Sequence, residues 1–148
     1  MAKVYLGLGT NLGNKEENLQ AAVEKINDEI GKVTSLSSFY ETAPWGFDSD
    51  NNFLNAVACV LTDYEPIEVL ARTQQIERGL GRTHKSVNGV YNDRLIDIDL
   101  LLYNQLILDT PQLKLPHPLM TQRSFVMDPL KEIAPEVIYP LTGEKLFR

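Results

Sequence analysis

Two aspartates stand two positions apart in a strongly apolar stretch of the chain, residues 95–103. If this stretch is a β-strand, Asp97 and Asp99 point to one face and the intervening Ile98 points to the other. Two carboxylates held that close repel each other, and burying either charge without a partner costs several kcal/mol or more. A divalent cation removes this conflict, and Mg²⁺ commonly combines one or two carboxylates with substrate phosphates. A solvated strand face with two exposed aspartates is the alternative.

The segment before these aspartates concentrates positive charge. The chain has 148 residues and a formal net charge of −6. Residues 72–94 hold five Lys or Arg against two Asp or Glu, a net charge of +3, which leaves −9 on the remainder. Arg82 and Arg94 flank a polar loop that leads into the aspartate pair, and arginine forks match phosphate oxygens. Arginine beside a bound metal is typical of phosphoryl transfer, whereas a solvated basic loop is the alternative.

Other polar and aromatic side chains have both a functional and a structural interpretation. Gln74 and Glu77 end a stripe on the second predicted helix, so they either line a cleft or belong to an ordinary exposed helix end. His117 lies between two prolines that would hold it in an extended segment, and a lone histidine is more often structural than catalytic. Four aromatic residues could stack on a flat heterocycle or fill a core. These are Trp45, Phe47, Phe53 and Phe125.

The glycine-rich run that ends the first predicted strand and leads into the first helix does not match a nucleotide-binding fingerprint. Residues 7–13 have the spacing G-x-G-x-x-x-G instead of G-x-G-x-x-G. A tight strand-to-helix turn is the favoured interpretation. The sequence also contains no G-x-x-x-x-G-K-[ST], which excludes a P-loop protein.

Apolar runs predict four main strands that would position these residues. The predicted strands are Val4–Gly9, Val33–Tyr40, Phe53–Leu61 and Leu95–Tyr103. We expect Leu106–Leu108 to pair back with the fourth strand. The turn-rich residues 42–52 and the polar residues 79–94 are predicted loops. One or two short helices are expected between residues 120 and 134.

Two longer helices are predicted between the strands. Asn14 can cap the first helix, with Glu17 three residues on as its capping-box partner. Leucine, isoleucine, valine and alanine then recur at spacings of three and four, and Gly31 fits the C-terminal stop. The second helix is predicted over about 65–78, and Pro66 suits its first turn.

The order of these elements predicts the fold class. Strand, helix, strand, strand, helix, strand is the split pattern called ferredoxin-like. The prediction is therefore an α+β fold with a ferredoxin-like β-α-β-β-α-β core, an antiparallel-rich sheet with helices packed on its faces. We expect a single domain over residues 1–148. Many unrelated activities use this fold, so it does not identify the function.

Composition excludes several classes of protein. Charged residues make up 23% and hydrophobic ones 43%, which are ordinary values for a globular chain. The acidic balance argues against broad binding of nucleic acid but leaves room for a small anionic ligand. One cysteine and two histidines cannot build a disulfide framework or a four-ligand zinc site, and Cys59 is expected in the core. No apolar run reaches the roughly 20 residues of a membrane span, so we expect a cytoplasmic protein.

Several motifs occur in a characteristic order along nearly the whole chain. They are G-L-G-T-N-L-G at 7–13, S-S-F-Y-E-T-A-P at 37–44, F-L-N-A at 53–56, Q-Q-I-E at 74–77, G-R at 81–82, R-L-I-D-I-D-L-L-L at 94–102, P-H-P at 116–118, R-S-F at 123–125 and P-L at 129–130. The run at 94–102 is the most specific of them. With these motifs the chain resembles the 6-hydroxymethyl-7,8-dihydropterin pyrophosphokinase family of folate biosynthesis.

The resemblance implies an enzyme that transfers the β,γ-pyrophosphoryl unit of ATP to the hydroxymethyl oxygen of the pterin and releases AMP. It implies that Asp97 and Asp99 hold two Mg²⁺ ions that bridge the ATP phosphates. Arg82 and Arg94 would neutralise the triphosphate and the charge on the leaving AMP. The implied nucleotide contacts are Gln74, Glu77, Arg82, Arg94, His117 and Arg123. The implied pterin contacts are Thr42, Pro44, Trp45, Phe53, Asn55 and Phe125.

Four positions differ from residues that relatives often carry. His84 stands where another Arg is frequent, Tyr91 where Trp is frequent, and Phe53 and Pro118 where Tyr is common. These differences affect the expected ATP contacts of the loop more than the aspartate pair. The resemblance also leads us to expect a monofunctional form, with no fused dihydropteroate synthase or aldolase domain.

Two other functions compete with this interpretation. A different Mg²⁺-dependent phosphoryl or nucleotidyl transferase on the same fold would yield ADP or free pyrophosphate. A ferredoxin-like module that binds RNA is the non-enzymatic alternative, but the acidic balance and the lack of an aromatic-rich RNA-binding strand weigh against it. We expect a monomer with no nucleic-acid or membrane partner.

Overall fold

An antiparallel sheet of five strands forms the centre of the molecule. The computed structural model describes residues 1–43, 52–81 and 95–147. The strands of this sheet are β1 (Ala2–Thr10), β2 (Lys32–Leu36), β3 (Tyr40–Thr42), β4 (Phe53–Thr62) and β5 (Asp97–Tyr103). Their order is β2-β4-β1-β5, with β3 also paired to β4. This order confirms the predicted ferredoxin-like α+β fold.

Helices cover both faces of the sheet. They are α1 (Lys15–Glu29), α2 (Pro66–Gly81) and α3 (Ser124–Ile133), and a 3-10 turn at Met120–Gln122 precedes α3. The first two lie on one face, and α3 lies on the other. Within the described ranges, no helix has the length and apolar character needed to cross a membrane.

Two apolar cores hold the helices to the sheet. Leu19 and Ile26 of α1 pack with Val69 of α2 in the larger core, and none of the three has exposed surface. Leu130 of α3 packs in the second core with Cys59, which confirms the predicted burial of the cysteine. Burying each large apolar side chain contributes roughly 1.5–3 kcal/mol.

The first helix begins where the sequence predicts and ends for a different reason. The side chain of Asn14 accepts a hydrogen bond from the Glu17 amide at 3.1 Å, as expected of an N-cap. At the other end, Gly31 does not have the left-handed conformation of a helix-ending glycine. A Cβ there would lie 2.0 Å from the carbonyl oxygen of Leu61. Gly31 is therefore required by the close approach of β4.

The predicted second strand, Val33–Tyr40, is wrong as a single element because it is divided into β2 and β3. Ser37 donates its amide to the Val57 carbonyl at 2.9 Å, but the Val57 amide donates to the side-chain oxygen of Ser37. A side chain thus takes the place of the main-chain acceptor. The backbone leaves the β4 ladder at residues 37–39 for this reason.

The predicted pairing of Leu106–Leu108 with the fourth strand is also wrong. The strand β6 (Leu108–Asp109) pairs instead with β7 (Lys114–Leu115), and a last hairpin joins β8 (Ile138–Tyr139) to β9 (Glu144–Lys145). The outer edge of β5 is taken by the tail, since the His117 amide donates to the Leu101 carbonyl at 2.9 Å.

The remaining differences concern element ends. β1 continues one residue beyond the predicted end at Gly9 to Thr10, which confirms Gly7 and Gly9 as strand residues, and Gly13, with φ of +66°, lies in the turn that follows. The second helix runs past Gly79, where the predicted loop begins, to Gly81. The fourth predicted strand begins at residue 97 instead of 95.

Gly31→Ala should destabilise the fold, because the added methyl group would collide with the main chain of β4. We expect a loss of about 3 kcal/mol or more in the free energy of unfolding, measured by urea denaturation. Gly79→Ala is the matched control, since a Cβ there would meet no atom within 4 Å. Because Gly79 lies in an exposed part of a helix, this change should raise the free energy of unfolding by about 0.5–1 kcal/mol. Equal stability of the two variants would contradict the close approach at residue 31.

Candidate active site

The floor of the candidate site is a strip of the sheet centred on Gly9. Gly9 pairs with Asn55 of β4 on one side and with Asp97 of β5 on the other. Cross-strand partners project from the same face, so Asn55 and Asp97 lie about 10 Å apart, two strand spacings, with Gly9 between them. A Cβ at Gly9 would lie 3.1 Å from Asn55 Oδ1 and 3.6 Å from a ring carbon of Phe53. The missing side chain therefore keeps the space between the two sides open.

Asn55 forms the first side of the site with the neighbouring strand β3. The side chain of Asn55 is almost fully buried, and its Nδ2 donates to Thr42 Oγ1 at 2.7 Å. Thr42 in turn pairs with Phe53 across the ladder. Because the amide nitrogen is used in this way, Asn55 Oδ1 faces the open floor. Pro44 and Trp45, the other expected contacts on this side, lie outside the described residues.

Asp97 and Asp99 form the second side. Ile98 is buried in the larger core, which confirms that the two aspartates share the opposite face. Asp99 Oδ2 lies 3.6 Å from Nη1 of Arg123, and this ion pair is mostly buried on the arginine side. The Arg123 guanidinium also lies 5.5 Å from the ring centroid of Phe125. The first turn of α3 thus brings a cation to the carboxylates and an aromatic ring beside it.

Glu77 approaches the aspartates from α2. Its Oε2 accepts a hydrogen bond from the Ile98 amide at 2.7 Å, and its carboxyl is hydrogen-bonded to the side chain of Asp97. Burial is the main cause that raises the pKa of Glu77 to about 8, and the charges of Asp97 and Asp99 raise it further. Glu77 therefore holds its proton at neutral pH.

His117 is fixed beside this group in its neutral form. Its Nδ1 accepts from the Leu119 amide at 3.2 Å, so the ring proton is assigned to Nε2. Burial lowers the pKa of His117, and the nearby Arg123 lowers it further, against the opposing effect of Asp97. The Nε2–H is consequently available as a hydrogen-bond donor.

The structure brings together most of the predicted site residues that it describes. Gln74 differs, because it is exposed on α2 one turn before Glu77. Arg82 and Arg94 lie outside the described residues. In the part of the chain that the structure describes, no group of three or more His, Cys, Asp or Glu side chains is arranged to hold a metal ion. A metal at Asp97 and Asp99 would thus need further ligands beyond the described side chains.

Sequence reasoning missed the role of Gly9. The predicted first strand ends at Gly9 and the predicted turn follows it, but neither prediction assigns a function to this glycine. A glycine inside a strand often marks the close approach of a ligand or another chain segment. The position of Gly9 within a strand that continues to Thr10 is the signal that could have identified the open floor.

Comparison with known proteins gives a consistent result. The family model described as 7,8-dihydro-6-hydroxymethylpterin-pyrophosphokinase (HPPK) matches residues 5–135. A 2-amino-4-hydroxy-6-hydroxymethyldihydropteridine pyrophosphokinase of Porphyromonas gingivalis is 52% identical over 91% of this chain and 92% of its own length. A protein of the same name from Aquifex aeolicus is 40% identical over 99% of this chain and 89% of its own.

A solved structure shows the same fold in a larger protein. The Plasmodium falciparum HPPK-DHPS triple mutant with SDX-DHP superimposes with a TM-score of 0.76 at 17% identity. The match covers 97% of this chain and 42% of that one, so this chain corresponds to less than half of the larger protein. At this identity the likeness concerns the fold alone.

Glu77→Gln should make folding stability less dependent on pH in metal-free buffer containing EDTA. Folded Glu77 keeps its proton up to a pH of about 8, whereas an unfolded glutamate loses it near its ordinary pKa of 4.5. The stabilisation from the raised pKa is therefore full below about pH 4.5 and is lost as the pH rises to about 8. Glutamine keeps the neutral hydrogen-bonding pattern and cannot ionise.

We therefore expect the free energy of unfolding to fall less between about pH 5 and pH 8 in Glu77→Gln than in the unaltered protein, as measured by urea denaturation. Glu68→Gln is the control, because Glu68 is an exposed glutamate of the same helix paired with Arg72. The same pH dependence in Glu77→Gln as in the unaltered protein would contradict the raised pKa.

Proposed function

The chain belongs to the 7,8-dihydro-6-hydroxymethylpterin-pyrophosphokinase family, and on that premise we propose that it transfers pyrophosphate from ATP to 6-hydroxymethyl-7,8-dihydropterin. The products are AMP and the pterin diphosphate, as in folate biosynthesis. We propose a single domain of this kind over residues 1–148, and cytoplasmic location and a monomeric state stay predictions.

One observation carries the proposal: the row Asn55, Gly9 and Asp97 across three neighbouring strands. The buried side-chain amide of Asn55, near the rings of Phe53 and Phe125, suits a flat heterocycle that carries a complementary amide group. A carboxylate pair beside an arginine suits a phosphate chain with its counterions. The open floor at Gly9 lets both ligands meet, which a transfer between two substrates requires.

The carboxylate side fits Mg²⁺ in number and type of ligands. Asp97 and Asp99 offer oxygen donors on one face, and hard cations prefer oxygen. In the metal-free protein, protonated Glu77 adds no charge to this pair. Its carboxyl oxygen accepts the amide of Ile98, the residue between the two aspartates. Two Mg²⁺ ions held by Asp97 and Asp99 would neutralise the negative charge of the ATP phosphates.

The chain's own residues hold and orient the reactants. Asn55 and Thr42 would read the pterin edge, with Phe53 and Phe125 on the faces of its ring. Arg123 and the His117 Nε2–H would bind phosphate or ribose oxygens, with Gln74 and Glu77 close to the nucleotide. Arg82 and Arg94 are proposed to neutralise the triphosphate as AMP leaves.

In the transfer, the hydroxymethyl oxygen forms a bond to the β-phosphorus of ATP. The bond from that phosphorus to the α,β-bridging oxygen breaks, and AMP keeps this oxygen. The hydroxyl proton passes to water or to Asp97. Since the reactants are already aligned, positioning and charge neutralisation supply most of the rate enhancement.

Product analysis tests the proposed reaction directly. Incubation with ATP, Mg²⁺ and 6-hydroxymethyl-7,8-dihydropterin should give AMP and the pterin diphosphate in equal amounts, as resolved by ³¹P NMR and ion-exchange chromatography. Omitting the pterin should abolish AMP formation. ADP or free pyrophosphate as the first product would instead support another phosphoryl or nucleotidyl transferase on this fold.

Asp97→Asn should remove most of the activity while the fold is kept. The asparagine has nearly the same size but no charge to bind a cation, and we expect kcat to fall about 10³-fold or more. Asp109→Asn is the matched control, because Asp109 is an exposed strand aspartate paired with Lys114 in the tail. Near-normal turnover of the Asp97 variant, in steady-state assays at saturating Mg²⁺, would remove Asp97 from the metal site.

A further inference from the structure

One carboxylate at the end of α3 holds the segment that joins β2 to β3. Glu132 accepts hydrogen bonds from the Ser38 amide, at 2.9 Å to Oε2 and 3.1 Å to Oε1. It also accepts from the Ser38 hydroxyl at 3.0 Å and from the Tyr40 hydroxyl at 2.6 Å. Three donors, two from Ser38 and one from Tyr40 at the start of β3, therefore converge on a single side chain, and we refer to Glu132, Ser38 and Tyr40 as the Glu132 clamp.

The clamp acts where the backbone has left the sheet. The Val57 amide donates its hydrogen bond to the side-chain oxygen of Ser37. Because this amide is already paired, the next residue, Ser38, is displaced from the β4 ladder. The Ser38 amide lies at the exposed surface, where water would be its alternative acceptor. Glu132 supplies a charged one, and hydrogen bonds to a charged acceptor are about twice as strong as neutral ones.

The strand that follows has little to hold it in place. β3 contains three residues, and in the described part of the chain it pairs with β4 alone. A strand this short is marginal without further contacts. Its last residue is Thr42, whose hydroxyl accepts from the buried Asn55 amide. A displacement of β3 would therefore move Thr42 and change the orientation of the Asn55 side chain.

The helix at the other end of the clamp is firmly packed. Val126 and Leu130 of α3 are buried in the second core. Glu132 follows Leu130 by two residues, so its backbone is held by the same packing. The clamp thus joins a weakly held strand to a strongly held helix.

We propose that Glu132 is a positioning residue for the pterin: by holding Ser38 and Tyr40 it fixes β3, so that Thr42 orients the amide of Asn55. The inference rests on the proposed function, because it takes the pterin as the ligand of Asn55. The nucleotide side is built on α2, β5 and Arg123, and Arg123 lies about 13 Å from Glu132 along α3. Loss of the clamp should therefore affect the two substrates unequally.

Glu132→Gln is the principal test. Glutamine has nearly the same size as glutamate, but its amide NH₂ replaces one of the two accepting oxygens. This NH₂ is a donor, so it would face the Ser38 or Tyr40 donors of the clamp without an acceptor between them. We expect the KM for the pterin to rise about tenfold and the KM for ATP to change less than about twofold. Glu136→Gln is the matched control, because Glu136 is an exposed glutamate of the same tail paired with Lys145. It should keep both KM values.

Tyr40→Phe provides a second, milder variant that removes one donor. Its pterin KM should rise less than that of Glu132→Gln, and the double variant should be no worse than Glu132→Gln alone, because both changes open the same clamp. Amide hydrogen exchange of residues 38–42, followed by mass spectrometry, should be faster in both variants than in the Glu136 control.

The outcomes distinguish the positioning role of Glu132 from the proposed reaction. An unchanged pterin KM in Glu132→Gln, or an equal rise in both KM values with lower thermal stability, would show a merely structural role and overturn the inference alone. If Glu132→Gln does not fold, an unchanged pterin KM in Tyr40→Phe overturns it. No AMP from the unaltered protein with both substrates would overturn the proposed function and this inference together.

Discussion

Strand β1 pairs with β4 on one side and with β5 on the other, and the register of both ladders decides which residues meet at Gly9. A slip of one residue would turn Asn55 or Asp97 to the opposite face of the sheet. The register is held by burial, because Leu6 and Leu8 of β1 alternate with the glycines and pack under α1 and α2. The hydrophobic core of one face thus determines the chemistry of the other.

Charge at the site is arranged locally and does not follow the acidity of the chain. Three carboxyl groups, Glu77, Asp97 and Asp99, lie close together, yet one of them is neutral because burial keeps its proton in place. Arg123 pairs with Asp99, and its positive charge favours the neutral form of His117. The result is a small acidic site bordered by hydrogen-bond donors, in a protein whose overall charge would repel a polyanion.

Much of this arrangement could be predicted from local patterns. The shared face of Asp97 and Asp99 follows from strand alternation, and the start of α1 follows from the Asn14 cap. The division of the second strand could not be predicted, because it depends on Ser37 meeting Val57 twenty residues away. The role of Gly31 was hidden for the same reason, since only the fold brings the Leu61 carbonyl against it. Sequence patterns indicate local conformation, whereas these features depend on tertiary contacts.

The hydrogen bond from the His117 amide to the Leu101 carbonyl has a consequence for solubility. An uncovered edge strand is a template on which other chains can add strands and aggregate. The tail lies against the outer edge of β5 and occupies part of that template. The segment that carries His117 into the candidate site therefore also shields the sheet from intermolecular pairing. Selection for catalysis and selection against aggregation would act on the same few residues of the tail.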